Sequence, residues 1–314
     1  MKKEKILLIG GTGALGQQLI ERHHKNNKIV VFSRDEHKHV NLAQKYPKLE
    51  YRIGDVKDTK SIIQALHDYK PTVVINTAAL KHVPVCENNA IESVKTNIMG
   101  HQNLIEAIML SKHTISYLLF ISTDKACKPI NVYGMCKAIS EKLYLNLSEK
   151  QKKIKVGIVR YGNVLNSTGS VVPYFQKLLK LGQDWLPVTH TQMTRFIITL
   201  DQAIDLLDYA YDTRVENHGC VIVPRLSSLK IVDLATAMGA RPEIIGIRAG
   251  EKLHEEMVSV EESIKVRDEG KYLVITPDYI NANKLGFKGE SFASDNRLMT
   301  KTQLTSYLRK VGVI

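Results

Sequence analysis

The 314 residues are 44% hydrophobic and 24% charged, ordinary globular proportions with material for a sizeable core and two lobes. No apolar run approaches the roughly 18–20 residues that span a bilayer, so a membrane partner is not expected. Lysine and arginine total 44 against 32 acidic residues, a formal +12. They are spread along the chain without a helix-turn-helix or aromatic–basic motif, which argues against nucleic acid and for an anionic small ligand.

The opening, MKKEKILLIGGTG, runs from a short apolar stretch straight into a glycine turn, so it reads as a first strand rather than a signal peptide. Further apolar runs at 28–33, 49–55, 72–78, 116–123 and 154–162 read as buried parallel strands. Amphipathic segments near 14–25, 38–46, 59–69, 90–112, 133–150 and 171–181 lie between or after them. This alternation predicts a Rossmann-type doubly wound parallel sheet over 1–165. Beyond it the rhythm loosens, and 166–314 reads mainly as a smaller, discontinuous substrate-binding lobe. A strand and helix at about 190–215 are expected to return to the first domain. The four cysteines, Cys86, Cys127, Cys136 and Cys220, show no metal-binding spacing. They read as reduced thiols of a cytoplasmic protein, and no metal is expected.

Gly10-Gly-Thr12-Gly13-Ala-Leu15-Gly16 follows a strand and opens a helix, the context a dinucleotide fingerprint requires. Its glycines serve the tight turn, the approach of backbone to pyrophosphate, and close helix–strand packing. The second strand ends in Ser33 and Arg34, where an NAD site would place a carboxylate. A hydroxyl beside a guanidinium suits a 2′-phosphate, so NADP is expected, with Asp35 and Glu36 as the opposing signal. Asp55 and Val56, after the third strand, are candidates for adenine contact. Ala78, Ala79 and Lys81 follow the fourth.

Tyr133 and Lys137 are four residues apart on one helix face, after the fifth strand. They suit hydride chemistry: the phenol exchanges a proton with a substrate hydroxyl, and the ammonium lowers its pKa and holds the nicotinamide ribose. Thr123 is a candidate hydroxyl partner, and Asn97 a candidate support for the lysine through water. Asp124 and Lys125, at the same strand exit, read either as a loop-end ion pair or as an acid and a carbon-acid base. The latter combination suits loss of water next to a ketone.

Taken together, GGTGALG, SRDE, NTAALKHVPVCE, KTNIMG, STDKACKPINVYGMCK, RYGNVLNSTGSVVPYF, PVTHTQMTRF and RAGEKLHEEM cover nearly the whole chain. They resemble the extended short-chain dehydrogenase/reductases, and within them the inverting UDP-N-acetylglucosamine 4,6-dehydratases. That resemblance implies an NADP-dependent lyase with an internal redox cycle. Asp124 would then be the acid for water loss and Lys125 the base at sugar carbon 5. Tyr133 would take the carbon 4 hydroxyl proton, with Lys137 as its partner. Retaining relatives carry glutamate where Lys125 stands, so lysine implies inversion. It also implies UDP contacts from Asn163, Arg195, Arg248 and Glu251, a sugar pocket near Lys81 and His82, and a homo-oligomer, dimer or hexamer. A departure from the family pattern is Ala249, where proline is common. A UDP-sugar 4-epimerase or 4-keto reductase, and a non-catalytic NADP-sensing regulator, are the competing readings.

Overall fold

The structure of the chain is a computed structural model that describes residues 1–167, 169–277 and 289–314. Thr168, inside the RYGNVLNSTGSVVPYF stretch, lies outside the described residues. Strands β1 (Lys5–Ile9), β2 (Lys28–Ser33) and β3 (Glu50–Ile53) alternate with helices α1 (Ala14–His23), α2 (Glu36–Lys45) and α3 (Thr59–Tyr69). Next come β4 (Val73–Asn76), α4 (Val83–Asn88), α5 (Ala90–Val94) and α6 (Gly100–Leu110). They lead to β5 (Tyr117–Ile121), the long α7 (Val132–Lys150) and β6 (Lys155–Val159). As the apolar runs predict, these six strands are parallel neighbours in the order β3-β2-β1-β4-β5-β6. The chain reverses direction across the sheet between β1 and β4, so a crevice opens at their carboxyl ends.

Several elements of the second half rejoin this sheet. After β7 (Asn163–Val164), α8 (Val171–Lys180), β8 (Trp185–Val188), β9 (Thr194–Ile198) and α9 (Leu200–Asp212), strand β10 (Cys220–Pro224) extends it in parallel beside β6. Beyond β11 (Ser228–Lys230), α10 (Ile231–Ala237), β12 (Arg241–Ile244), β13 (Glu256–Val258) and α11 (Val260–Ser263), two more strands close that edge. These are β14 (Val266–Asp268) and β15 (Tyr272–Ile275), added antiparallel. Finally β16 (Phe292–Ala293) pairs with β13, and α12 (Lys301–Lys310) follows.

The expected return at about 190–215 is split between two places. Helix α9 lies against α1, and Arg22 is ion-paired there with Asp201, Asp205 and Asp208. Strand β9 instead joins a small sheet, β11-β9-β7, apart from the main one. Its residues are all buried, as an apolar strand requires, but its partners come from the second half. Two apolar cores result. The larger draws on β1, β2, β4, β5, β6 and β10, whereas β3, expected as a buried strand, is a partly exposed edge strand with only Tyr51 packed against it; the smaller joins Leu165, Phe175, Leu186, Leu229, Leu234 and Leu304. Among the described residues no helix is long and apolar enough to cross a membrane.

Candidate active site

The glycine turn lies at the crevice between β1 and β4. Gly10 has φ +76°, a conformation L side chains rarely adopt, and a Cβ there would sit 2.7 Å from the Ala78 backbone nitrogen. A Cβ on Gly16 would lie 2.5 Å from Gly11, so α1 packs directly on the turn. Gly13 is the N-cap of α1, and no side chain caps that end. A helix N-terminus uncapped by any side chain suits a pyrophosphate. Leu15 packs against the larger core, and Thr12 Oγ1 lies 3.0 Å from Ser33 Oγ.

Ser33 is buried, and its hydroxyl also lies 2.6 Å from His39 Nε2. Sequence reasoning missed this histidine, which sits on the inner face of α2. Arg34 is exposed and faces Asp55 at 3.6 Å. Asp35 caps α2 by accepting from the Lys38 amide at 3.0 Å, and Lys38 Nζ is 3.2 Å away. Its carboxylate is therefore engaged with its own helix. Val56 is buried, and its carbonyl accepts from Asn103 at 3.0 Å. Ala79 and Lys81 follow Ala78 on the loop after β4, Ala79 half-buried and Lys81 exposed. His82 lies against Gly169.

Asn97 is buried and fastened to the loop after β4. The predicted helix 90–112 is broken at Lys95–Met99 by a π-helical turn, a feature common at functional sites. There the Asn97 side chain accepts from Leu80 N and donates to Leu80 O, both at 2.8 Å. It clamps the loop after β4.

Tyr133, Lys137, Thr123, Asp124 and Lys125 come together past the end of β5. Lys137 is buried; its Nζ donates to Ile121 O at 2.6 Å and lies 4.5 Å from the Phe120 ring centroid. Burial pushes this ammonium down to about 7, against the opposing pull of Glu141. Burial, reinforced by the charge of Asp124, pushes the Tyr133 phenol well up, while a hydrogen bond with Thr123 works in the opposite direction. In this arrangement the Lys137 ammonium is directed to the Ile121 carbonyl. The approach of α7 to this cluster depends on Gly134: a Cβ there would lie 2.2 Å from Lys125 O. Asn131 caps α7 through the Gly134 amide at 2.8 Å and donates to Gly250 O at 2.8 Å, tying the helix start to the RAGE turn.

Asp124 is fully buried. One oxygen accepts from Thr123 Oγ1 at 2.9 Å and from Lys125 Nζ at 3.1 Å; the other has no protein hydrogen-bond partner among the described residues. Lys125 Nζ also donates to Asn163 Oδ1 at 3.3 Å and lies 3.2 Å from Glu255 Oε1. Burial works to lower its pKa, but Asp124 and Glu255 outweigh it and hold the ammonium above its ordinary value. Glu255 is buried inside the RAGEKLHEEM stretch and was not foreseen as a site residue.

The expected UDP contacts divide. Asn163 faces Lys125. Arg195 is 7% exposed; its Nη1 donates to the carbonyls of Thr194 and Leu253, at 2.7 and 3.2 Å, and its Nε lies 3.9 Å from Glu255. Arg248 and Glu251 pair with each other at 3.0 Å toward the surface. His190 accepts from the nearby Gln192 amide, His254 lies 2.8 Å from Thr194 Oγ1, and no cluster fit to hold a metal exists among the described residues.

The family described as polysaccharide biosynthesis protein matches residues 6–277, and the chain belongs to it. It is 39% identical to a Campylobacter jejuni UDP-N-acetylglucosamine 4,6-dehydratase (inverting), over 94% of this chain and 93% of that one. A Rickettsia felis protein named UDP-glucose 4-epimerase is 38% identical, covering 87% of this chain and 83% of its own. Among solved structures, Pen from Bacillus thuringiensis superposes with a TM-score of 0.90 at 29% identity, covering 100% of this chain and 99% of that one.

Proposed function

We propose that this protein is an NADP-dependent UDP-N-acetylglucosamine 4,6-dehydratase that inverts carbon 5, made for nucleotide-sugar biosynthesis. The observation that carries the reading is the contact of Lys125 Nζ with Asp124 Oδ1, 3.1 Å apart, beside the Tyr133–Lys137 pair. The relative named as an inverting dehydratase supports the same activity. For the cofactor, the uncapped start of α1 and the turn at Gly10 suit a dinucleotide, and exposed Arg34 beside buried Ser33 favours the 2′-phosphate form.

The bound dinucleotide supplies a hydride acceptor for carbon 4 and a donor for carbon 6. Tyr133 removes the proton of the carbon 4 hydroxyl as that carbon becomes a ketone. The ketone acidifies the carbon 5 hydrogen. Asp124 and Lys125 hold the proton inventory the next step needs: moving one proton from Nζ to Oδ1 makes an amine and a carboxylic acid. The Lys125 amine then takes the carbon 5 proton, while Asp124 protonates the carbon 6 hydroxyl, which leaves as water. Reprotonation of carbon 5 from the opposite face completes the 4-keto-6-deoxy sugar, with no net oxidation. Asn163, Arg195, Arg248 and Glu251 are proposed to bind the UDP moiety. Exposed Ile91, Met135 and Ile139, on neighbouring helices α5 and α7, support self-association.

Incubation with UDP-N-acetylglucosamine and with UDP-glucose in deuterated water tests the reading. Mass and proton spectra are expected to report loss of water from the N-acetylated sugar, with deuterium and inversion at carbon 5. A 4-epimerase is the second reading, favoured by the Rickettsia relative. Lys125→Ala separates the two: elimination is expected to fall by about 10²–10⁴, whereas epimerisation needs only Tyr133 and Lys137. Full turnover in that variant would sink the dehydratase mechanism.

A further inference from the structure

Lys125 touches a second carboxylate that the elimination scheme leaves without a task. Glu255 Oε1 lies 3.2 Å from Nζ and comes from a different part of the chain. Glu255 is 2% exposed, and its other oxygen has no hydrogen-bond partner among the described residues. Its nearest further cations, Arg195 Nε and Lys252 Nζ, are both 3.9 Å away, and Arg195 Nη1 is already committed to the carbonyls of Thr194 and Leu253. Such a carboxylate is costly to bury for packing alone.

The backbone under Glu255 is held with unusual completeness. Its amide donates to Ser294 Oγ at 2.9 Å, and its carbonyl accepts from Ser294 N at 2.8 Å. Ser294 Oγ lies 2.6 Å from Thr194 Oγ1, which is 2.8 Å from His254 Nδ1. Three segments of the chain, around 194, 254 and 294, therefore fix the point from which the carboxylate reaches Lys125.

We infer that Glu255 is a positioning residue for the elimination step: it aims Lys125 and stabilises the ammonium that forms there when the carbon 5 proton is taken. The logic is that of the carboxylate behind a catalytic base, which orients the base and stabilises its charged form without touching substrate. Asp124 is the neutral acid when the transfer begins and regains its charge only as it gives its proton to the leaving hydroxyl. Glu255 takes no part in that proton exchange. The inference rests on the dehydratase reading above.

The groups facing Lys125 are Asp124, Glu255, Arg195 and the neutral Asn163, with Lys252 behind Glu255 and Tyr133 beside Asp124. Removing the Glu255 charge takes away one of the two influences that hold Lys125 protonated. The neutral amine then becomes available at lower pH.

The test uses the full-length protein with its cofactor and compares wild type, Glu255→Gln and Glu255→Asp. In Glu255→Gln, carbon 4 oxidation, followed by the absorbance of reduced nicotinamide in a single turnover, is expected to stay within a few-fold of wild type. Elimination is expected to slow about 10²-fold, so reduced cofactor accumulates. The rising limb of the kcat–pH profile is expected to move to lower pH, and Glu255→Asp to recover part of the rate. Unchanged elimination with an unmoved limb overturns the inference. So does an equal loss of oxidation and elimination, which would assign Glu255 to fold alone. If wild type itself loses no water from UDP-N-acetylglucosamine, the dehydratase reading falls and takes the inference with it.

Discussion

At the scale of single residues, cofactor choice turns on what Arg34 and Asp35 are free to do. Asp35 accepts the Lys38 amide and pairs with its ammonium, so it caps a helix instead of reaching a ribose. Among the described residues, Arg34 makes a loose 3.6 Å contact with Asp55, and its side chain is half-exposed. A phosphate would compete well for it. Arg34→Ala is therefore expected to weaken NADP binding about 10-fold or more and to leave NAD binding nearly unchanged. Titrating both dinucleotides checks this, and an unchanged ratio of affinities would assign the discrimination elsewhere. This end of the site was legible in the sequence because it is local: strand, glycine turn and helix follow one another within a few residues. Glu255 was not legible. The RAGEKLHEEM stretch was visible as a motif, but only the folded chain brings one of its carboxylates to Lys125.

At the scale of elements, strand positions followed from apolar runs, and most helices from their spacing. Two departures have tertiary causes. Helix 90–112 yields to a π-helical turn because Asn97 satisfies both backbone groups of Leu80, a bargain invisible to periodicity. Strand β9 reads as any buried strand, and nothing in its own residues says that its neighbours are β7 and β11. Helix α7 presents the sharpest constraint. Between its second residue, Tyr133, and its sixth, Lys137, the helix lies directly against Lys125, and Gly134 permits that contact. Gly134→Ala gains helix propensity, yet its methyl would meet a backbone carbonyl at 2.2 Å. The variant is expected to lose about 1–3 kcal/mol of stability and most of its turnover. Denaturation and activity measured together check it; wild-type turnover would mean that α7 can shift without cost.

At the scale of the whole molecule, one buried guanidinium bridges α7 and the segment around α11. Arg160, on the residue after β6, is 2% exposed and bonds Glu141 of α7 at 3.0 and 2.6 Å. It also bonds Glu262 of α11 at 2.8 and 2.9 Å and the Met257 carbonyl at 2.8 Å. The stretch that carries Glu255 is thereby fastened to the helix that carries Tyr133. Arg160→Met would leave both carboxylates without their cation, and a loss of about 3–5 kcal/mol is expected. The same triad makes stability sensitive to acid. Burial pushes the Glu262 carboxyl up, but Arg160 more than offsets this and holds it below its ordinary 4.5. Its contribution is therefore complete above that value and is lost as pH falls below it through the folded-state value. Denaturant midpoints taken on acidification are expected to fall in wild type and to lose this component in Arg160→Met.

The triad also orders events in time. Arg160 and Glu262 stand 102 positions apart in the chain. At roughly 5–20 residues per second, a ribosome leaves about 5–20 s between their appearances. Throughout that interval the glycine turn, α7 and the six parallel strands are already made, and Arg160 has Glu141 as its sole carboxylate partner among the triad. The nascent chain can thus have every part of its cofactor crevice while the segment that completes the surroundings of Lys125 is still unmade. Capacity to hold the dinucleotide precedes capacity to break the carbon–oxygen bond.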